Sequence, residues 1–202
     1  MPDRRLPAFL LAVVLAALAA SGIGPRDRLT WWMEVFPVLL GIPVLFLLRK
    51  SLPLTPLVYS LLALHAGILL VGGHYTYAEV PAGNWVRDHF HLARNPYDRL
   101  GHFAQGFVPA LLAREILLKR TPLRQGGWLF FLTCSVCLAF SACYELFEWR
   151  AAVSCGQAAD AFLGTQGDPW DTQWDMAMAL VGSIAAQATL ARAQDRQLDA
   201  AS

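Results

Sequence analysis

The sequence predicts an all-α polytopic membrane protein, built as a six-helix transmembrane bundle with both termini cytoplasmic. Hydrophobic residues make up 56% of the 202 residues and charged residues 15%, whereas charged residues are about a quarter of a soluble domain. Six apolar segments recur along the chain, and each has about the 20 residues that a helix needs to cross a bilayer core. No shift in composition marks a boundary, so residues 1–202 are predicted to form a single integral-membrane domain.

The six apolar segments are predicted as membrane helices at residues 6–23, 31–48, 54–71, 100–118, 128–149 and 171–190. The first could instead be a secretory signal peptide, because Ala19 to Ser21 offer small residues for cleavage. Five more apolar segments follow it, which favours an uncleaved helix. The second begins with Trp31 and Trp32 and is followed by Arg49 and Lys50, residues typical of membrane interfaces.

Lys and Arg are distributed unevenly between the two sides of this arrangement. With the N-terminus inside, ten lie on the inner side and six on the outer side, and such an excess marks the cytoplasmic side. The same topology brings the polar residues near the helix ends to the outer face, so we expect a single polar site there. The outer loop 72–97 is expected to lie on the membrane surface or to cap the bundle. Residues 151–162 are expected to form a short interfacial helix ended by Gly164.

Several classes of function are disfavoured by composition. The net charge is +1 and the basic residues are scattered, so no nucleic-acid partner is predicted. Cys134, Cys137 and Cys143 lie in an apolar segment and are interpreted as small buried side chains. The first two spell C-x-x-C, but without a second pair a redox or zinc role is not favoured. The predicted partner is the lipid bilayer.

The fourth helix places Asp98 and His102 four residues apart, on one helical face. Asp98 could simply cap the helix, and His102 could hydrogen-bond a neighbouring helix. Because His102 lies one turn inside the membrane, a functional role is favoured for it. His74 and Asp98 are predicted at the rim of the site.

The fifth helix ends with Glu145 and Glu148, three residues apart. Carboxylates are unfavourable at this end, because the helix dipole already makes it negative. Arg150 or Arg99 could compensate them, and so could a bound metal or a shared proton. Glu34, beside the tryptophan pair, is predicted to be interfacial.

The sixth helix opens with the sequence GDPWDTQWDM, which contains three aspartates. Asp168 followed by Pro169 has the form of an N-cap, and Asp171 falls in the first turn, where the helix dipole favours acids. Asp175 lies four residues further on and too deep for capping, so it is the strongest candidate of the three. An acid there is costly unless it is protonated, paired or bound to a metal.

Together these residues predict one polar site. His102, Glu145 and Asp175 are the predicted catalytic residues. Oxygen-rich ligation with one nitrogen suits a divalent ion such as Zn, Mn, Mg or Ca, which makes a divalent metal the candidate cofactor. The candidate metal ligands are His102, Glu145, Glu148, Asp171 and Asp175.

Four motifs carry a resemblance to a known family: GGHYTYAEVP, YDRLGHFAQGF, SACYELFEW and FLGTQGDPWDTQWDM. In their order and spacing the chain resembles the YjdF-like family of bacterial inner-membrane proteins, a domain of unknown function. More loosely, the acidic pattern is similar to VanZ-like membrane proteins, although Glu148 stands where that pattern tends to have glutamine and its arginine before the aspartates is absent. The resemblance implies a multi-pass protein of the bacterial inner membrane and supplies no reaction.

Three functions stay open. The first is a metal- or acid/base-dependent hydrolase or transferase that acts on a lipid or envelope precursor at the outer leaflet. The second is a transporter or ion-coupled permease whose carboxylates titrate or bind a cation. The third is a non-catalytic membrane scaffold in which the charges only hold the last three helices together.

Overall fold

The computed structural model describes residues 5–155 and 163–200, and within those ranges it contains helices and their connections without a strand. A single 3-10 turn, Tyr77–Glu79, lies between the third and fourth helices. The predicted all-α class is therefore confirmed, and each of the six predicted segments coincides with a helix. The fourth helix was not predicted, since it is short and polar and lies within loop 72–97. The helices are α1 (Arg5–Ser21), α2 (Arg28–Leu48), α3 (Pro56–Tyr75), α4 (Pro81–Phe90), α5 (Tyr97–Arg120), α6 (Gly127–Cys155) and α7 (Asp171–Asp199).

Several helices extend beyond their predicted ends, because hydropathy does not detect a helix that continues into polar sequence. α2 begins before its tryptophans, where the Asp27 side chain accepts a hydrogen bond from the Thr30 amide at 2.7 Å. At their far ends α6 continues to Cys155 and α7 to Asp199. Residues 151–155 thus belong to α6, and the remainder of the predicted interfacial helix at 151–162 lies outside the described residues.

In the described part of the chain, four helices, α2, α3, α6 and α7, are long and apolar enough to cross a membrane. α1 is apolar but has 17 residues. α5 is long enough but carries six charged residues, of which two fall in its first three positions and four in its last seven. Its middle, residues 100–113, contains no Asp, Glu, Lys or Arg.

Leaving out the short α4, the helices run alternately up and down, which places both described ends of the chain at one end of the bundle. α1 and α3 end together, where His74 Nδ1 lies 2.9 Å from the Ser21 carbonyl oxygen. α5 runs antiparallel to α3, because Thr55 at the start of α3 contacts Glu115 near the end of α5. We call the end where α5 and α7 begin the site end, and the other the opposite end.

α5 and α7 are parallel and form the most extensive helix pair. A Cβ at Gly106 would overlap the Ala179 carbonyl, and a Cβ at Gly182 would overlap the Phe103 carbonyl. Glycine at these two positions therefore lets the backbones touch, as small residues commonly do between membrane helices. This contact fills the space between the middles of the two helices.

The cysteines partly match their interpretation. Cys134 and Cys137 are buried free thiols, as predicted. Cys143 is also free but exposed, so its interpretation as a buried side chain is wrong. An apolar side chain on a membrane helix meets lipid as readily as it meets a neighbouring helix.

Candidate functional site

A buried cluster of ionisable side chains lies at the site end, where α5, α6 and α7 meet. α5 contributes Asp98 and His102, α6 contributes Glu145, and α7 contributes Asp171 and Asp175. Each of the five is more than nine-tenths buried. The four-residue spacings keep each pair on one face of its helix. The structure thus brings the three predicted catalytic residues together.

The His102 imidazole lies at the centre of the cluster, with carboxylates beside both ring nitrogens. Its Nε2 is 3.5 Å from Asp98 Oδ1 and 3.8 Å from Asp175 Oδ2. Its Nδ1 is 3.8 Å from Glu145 Oε1, and neither of these two atoms has a hydrogen-bond partner within the described residues. Asp98, His102 and Asp175 each offer one ligand atom, and these atoms lie within 4.8 Å of one another. Such a group could hold a metal ion.

Two arginines hold the aspartates in place. Arg94 Nη2 donates to Asp98 Oδ2 at 2.8 Å, and Arg94 also forms an ion pair with Asp171. Arg99 forms an ion pair with Asp175, and its Nη2 lies 2.9 Å from Asp171 Oδ1. Arg94 is one of the six basic residues predicted on the outer side, and no partner was predicted for it. Arg99 was predicted as a possible partner of the two glutamates of the fifth helix. Arg99 instead pairs with the aspartates of α7.

Asp168 and Asp171 do more than start a helix. The helix begins at Asp171 rather than at Pro169, and Trp170 occupies the N-cap position without a side-chain cap. Asp168 Oδ1 accepts a hydrogen bond from the Trp170 amide at 2.9 Å, while its Oδ2 lies 3.0 Å from Arg99 Nη2. Asp171 keeps its predicted place in the first turn, but both arginines share its carboxylate, which leaves it less suited to be a metal ligand than predicted.

The segment before α7 is bound to the segment before α5. The Asn95 amide donates to Gln166 Oε1 at 2.9 Å, and Gln166 Nε2 donates to the Asn95 carbonyl at 3.1 Å. Arg94 Nη2 donates to the Gly164 carbonyl at 3.1 Å. These bonds fix the starts of α5 and α7 relative to each other.

The remaining predicted residues have different surroundings. Glu148 is partly buried and makes no ion pair with any described residue. His74, predicted at the rim, is tied to the end of α1 by the Ser21 carbonyl. Asp98, also predicted at the rim, lies inside the cluster. It contacts Arg94 and His102, and its helix has no side-chain cap, so the capping alternative is not what the structure shows.

Glu34, which was predicted to be interfacial, is buried against neighbouring helices. Its carboxylate accepts a hydrogen bond from the Tyr144 hydroxyl at 3.4 Å, and the Tyr144 ring lies edge-on to His102. Close by, the Tyr77 ring inserts against Gly101, where a Cβ would come within 2.6 Å of it. Burial raises the pKa of the Tyr77 phenol well above its usual value, so this hydroxyl stays protonated.

A second buried polar cluster lies at the opposite end. Glu115 is fully buried and accepts hydrogen bonds from the Thr55 amide at 2.9 Å, the Thr55 hydroxyl at 2.7 Å and Lys119 Nζ at 2.7 Å. Gln194 Nε2 donates to the same carboxylate at 3.2 Å. Arg114 Nη1 lies 2.7 Å from an Asp195 carboxylate oxygen and 3.0 Å from Gln194 Oε1. This cluster joins the start of α3 to the ends of α5 and α7.

Comparison with known proteins agrees with the resemblance predicted from the four motifs. The model of the family described as predicted membrane protein (DUF2238) matches residues 6–196. The inner membrane protein YjdF of Escherichia coli strain K12 is 55% identical over 181 residues, which cover 90% of this chain and 87% of that protein. No solved structure matches the chain. These similarities agree with the predicted location in the inner membrane.

Proposed function

The chain belongs to the DUF2238 family of predicted membrane proteins, and we propose that its site-end cluster performs metal- or acid/base-dependent chemistry on a lipid or envelope precursor. The observation that carries the proposal is the position of His102 between three carboxylates, with two facing atoms that no described residue hydrogen-bonds. Buried ionisable groups are costly in a membrane. Atoms left unpaired at that cost are better explained by a ligand or a proton transfer than by packing.

The proposed setting is a single-domain, six-helix transmembrane bundle with both termini in the cytoplasm. α1 and α5 complete the six spans, since 17 residues of helix extend about 26 Å, and the charges of α5 lie near its two ends, where they can reach the interfaces. Both described chain ends lie at the opposite end, which is the inner side by the distribution of Lys and Arg. The site end then faces outward, at the depth of lipid head groups.

His102 is the proposed acid/base group, with Glu145 and Asp175 beside its two nitrogens. Such a group transfers a proton to or from the reacting atom, an effect worth about 10²–10⁴-fold in rate. Where a metal is bound, it supplies Lewis-acid chemistry at the same place. In the proposed ligand set, Asp98 replaces Glu145, Glu148 and Asp171, because neither glutamate is among the grouped ligand residues and Asp171 is shared by two arginines.

The two other functions receive unequal support. The ion pairs of Arg94 and Arg99 with four aspartates favour a scaffold, in which the charges only join α5 to α7. A transporter is disfavoured by the direct backbone contact at Gly106 and Gly182, because it fills the space between the two polar clusters. The scaffold is therefore the second candidate.

The proposal is tested on purified protein in nanodiscs made from a total envelope lipid extract. Wild type and His102→Ala are incubated with the extract, and lipids and lipid-linked precursors are compared by mass spectrometry. We expect at least one species to be converted by wild type and about 10²-fold more slowly by the variant. No His102-dependent conversion of any species, with the variant folded at wild-type abundance, would favour the scaffold and contradict the proposal.

A further inference from the structure

We infer that the site end binds one divalent cation that accepts imidazole, Zn²⁺ or Mn²⁺, through Asp98, His102 and Asp175, with Glu145, Arg94 and Arg99 as positioning residues. This inference rests on the proposed function for its biological role only. Ion binding is measured without a substrate, so it can fail while a metal-free acid/base function survives, and it can succeed while no lipid is converted.

The three ligand atoms have separations that suit a shared ion. Two atoms that each lie about 2.1 Å from one ion are at most about 4.2 Å apart. His102 Nε2 is 3.5 Å from Asp98 Oδ1 and 3.8 Å from Asp175 Oδ2, so both pairs fall within that limit. The ligand atoms of all three residues lie within 4.8 Å of one another, so the two aspartates need to approach each other by at most about 0.6 Å to share an ion. Three protein ligands are the number typical of catalytic metal sites, whereas structural zinc sites have four.

Each aspartate divides its two oxygens in the same way. Asp98 Oδ2 accepts from Arg94, and its Oδ1 faces His102. Asp175 Oδ1 pairs with Arg99, and its Oδ2 faces His102. The arginines therefore fix the orientation of both carboxylates and leave one oxygen of each for an ion. A network whose only purpose was to join helices would not need the second oxygens to converge on one nitrogen.

Glu145 completes the arrangement on the other side of the ring. A histidine that binds a metal through one nitrogen usually donates its other N–H to a carboxylate, which orients the ring. His102 Nδ1 and Glu145 Oε1 face each other at 3.8 Å, each without another partner in the described parts of the chain. Both side chains are more than nine-tenths buried, so these atoms point into the site and not toward water.

The charges of the cluster also favour a divalent cation. Among the described residues, Asp98, Asp168, Asp171 and Asp175 contact two guanidinium groups, those of Arg94 and Arg99. With His102 neutral, the aspartates exceed the arginines by two negative charges. All but Asp168 are more than nine-tenths buried, where an unbalanced charge is costly, and a divalent ion at His102 Nε2 would balance the excess.

The test is equilibrium binding of Zn²⁺ and of Mn²⁺ to the full chain in detergent, purified without a histidine tag. The exposed His89 and His91 are replaced by alanine in every sample to remove surface binding. We expect one ion per chain. Asp175→Asn and Asp98→Asn should each abolish saturable binding, and Glu145→Gln should weaken it about 10–100-fold, as loss of an orienting carboxylate does. Asp195→Asn, which alters the half-buried aspartate paired with Arg114 at the opposite end, should leave the affinity unchanged.

Two results would overturn the inference: the absence of stoichiometric binding of either ion, or binding that all three site-end variants retain. If the aspartate variants do not fold, X-ray absorption of the zinc-loaded protein decides the matter. One imidazole among oxygen ligands supports the assignment. No imidazole, or more than one, contradicts it.

Discussion

The two ends of α5 carry buried charged clusters that differ in how completely their groups are matched. At the opposite end, Glu115 accepts four hydrogen bonds, and Lys119 supplies the cation beside it. At the site end, the aspartates outnumber the arginines, and His102 Nδ1 and Glu145 Oε1 have no hydrogen-bond partner among the described residues. Asp195 Oδ1 at the opposite end also lacks a hydrogen bond, but it lies 2.7 Å from the cation of Arg114. Complete pairing is what a structural lock requires. Incomplete pairing of similarly buried groups indicates a functional site.

The largest expected effect on stability comes from Arg99, which contacts three aspartates at the site end. Arg99→Gln removes the guanidinium that pairs with Asp175 and leaves Asp168 and Asp171 to Arg94 alone, and removing one member of a buried ion pair costs about 3–5 kcal/mol. Thermal unfolding in detergent should show this loss, whereas Arg26→Gln, which breaks an exposed ion pair with Glu79, should show almost none. Equal effects of the two variants would mean that the arginine network does not hold the helices.

At the opposite end, Glu115→Gln should lower stability without changing function. The variant loses a carboxylate with several donors, and hydrogen bonds to charged groups contribute about 1.5–3 kcal/mol. Ion binding and any lipid conversion, measured per folded molecule, should match wild type. A loss of ion binding or lipid conversion at full abundance would contradict the distinction between a structural cluster at the opposite end and a functional cluster at the site end.

The smallest expected effect is that of Tyr144→Phe, which tests whether Glu34 belongs to the site. Removing the hydroxyl deletes a 3.4 Å hydrogen bond to Glu34, worth about 0.5–1.5 kcal/mol. The unfolding temperature should fall slightly while ion affinity stays constant, because Tyr144 is not a ligand. A large fall in affinity would extend the site to α2.

The sequence predicted those parts of the molecule that depend on local pattern. The six long helices follow from runs of apolar residues, and the meeting of His102, Glu145 and Asp175 follows from the side of the membrane to which each helix end was assigned. The position of Asp175 one turn beyond Asp171 identified it correctly as an acid that capping does not explain.

The parts that were missed depend on contacts between distant residues. Arg94 lies outside any predicted helix, and its partner Asp171 is 77 residues away. Glu34 contacts Tyr144, which is 110 residues away. Its burial between helices could not be predicted from its place beside two tryptophans. α4 lacks an apolar segment of any length, and hydropathy therefore gave no signal for it.

The most direct test of the central claim is the thermal unfolding of three proteins with and without Zn²⁺ or Mn²⁺. A ligand that binds the folded state at about 100 times its Kd stabilises it by about 2.7 kcal/mol. We predict that wild type and Asp195→Asn gain this stability from the ion and that Asp175→Asn does not. An equal gain in all three proteins, or no gain in wild type, would contradict the assignment of the site end as the ligand site.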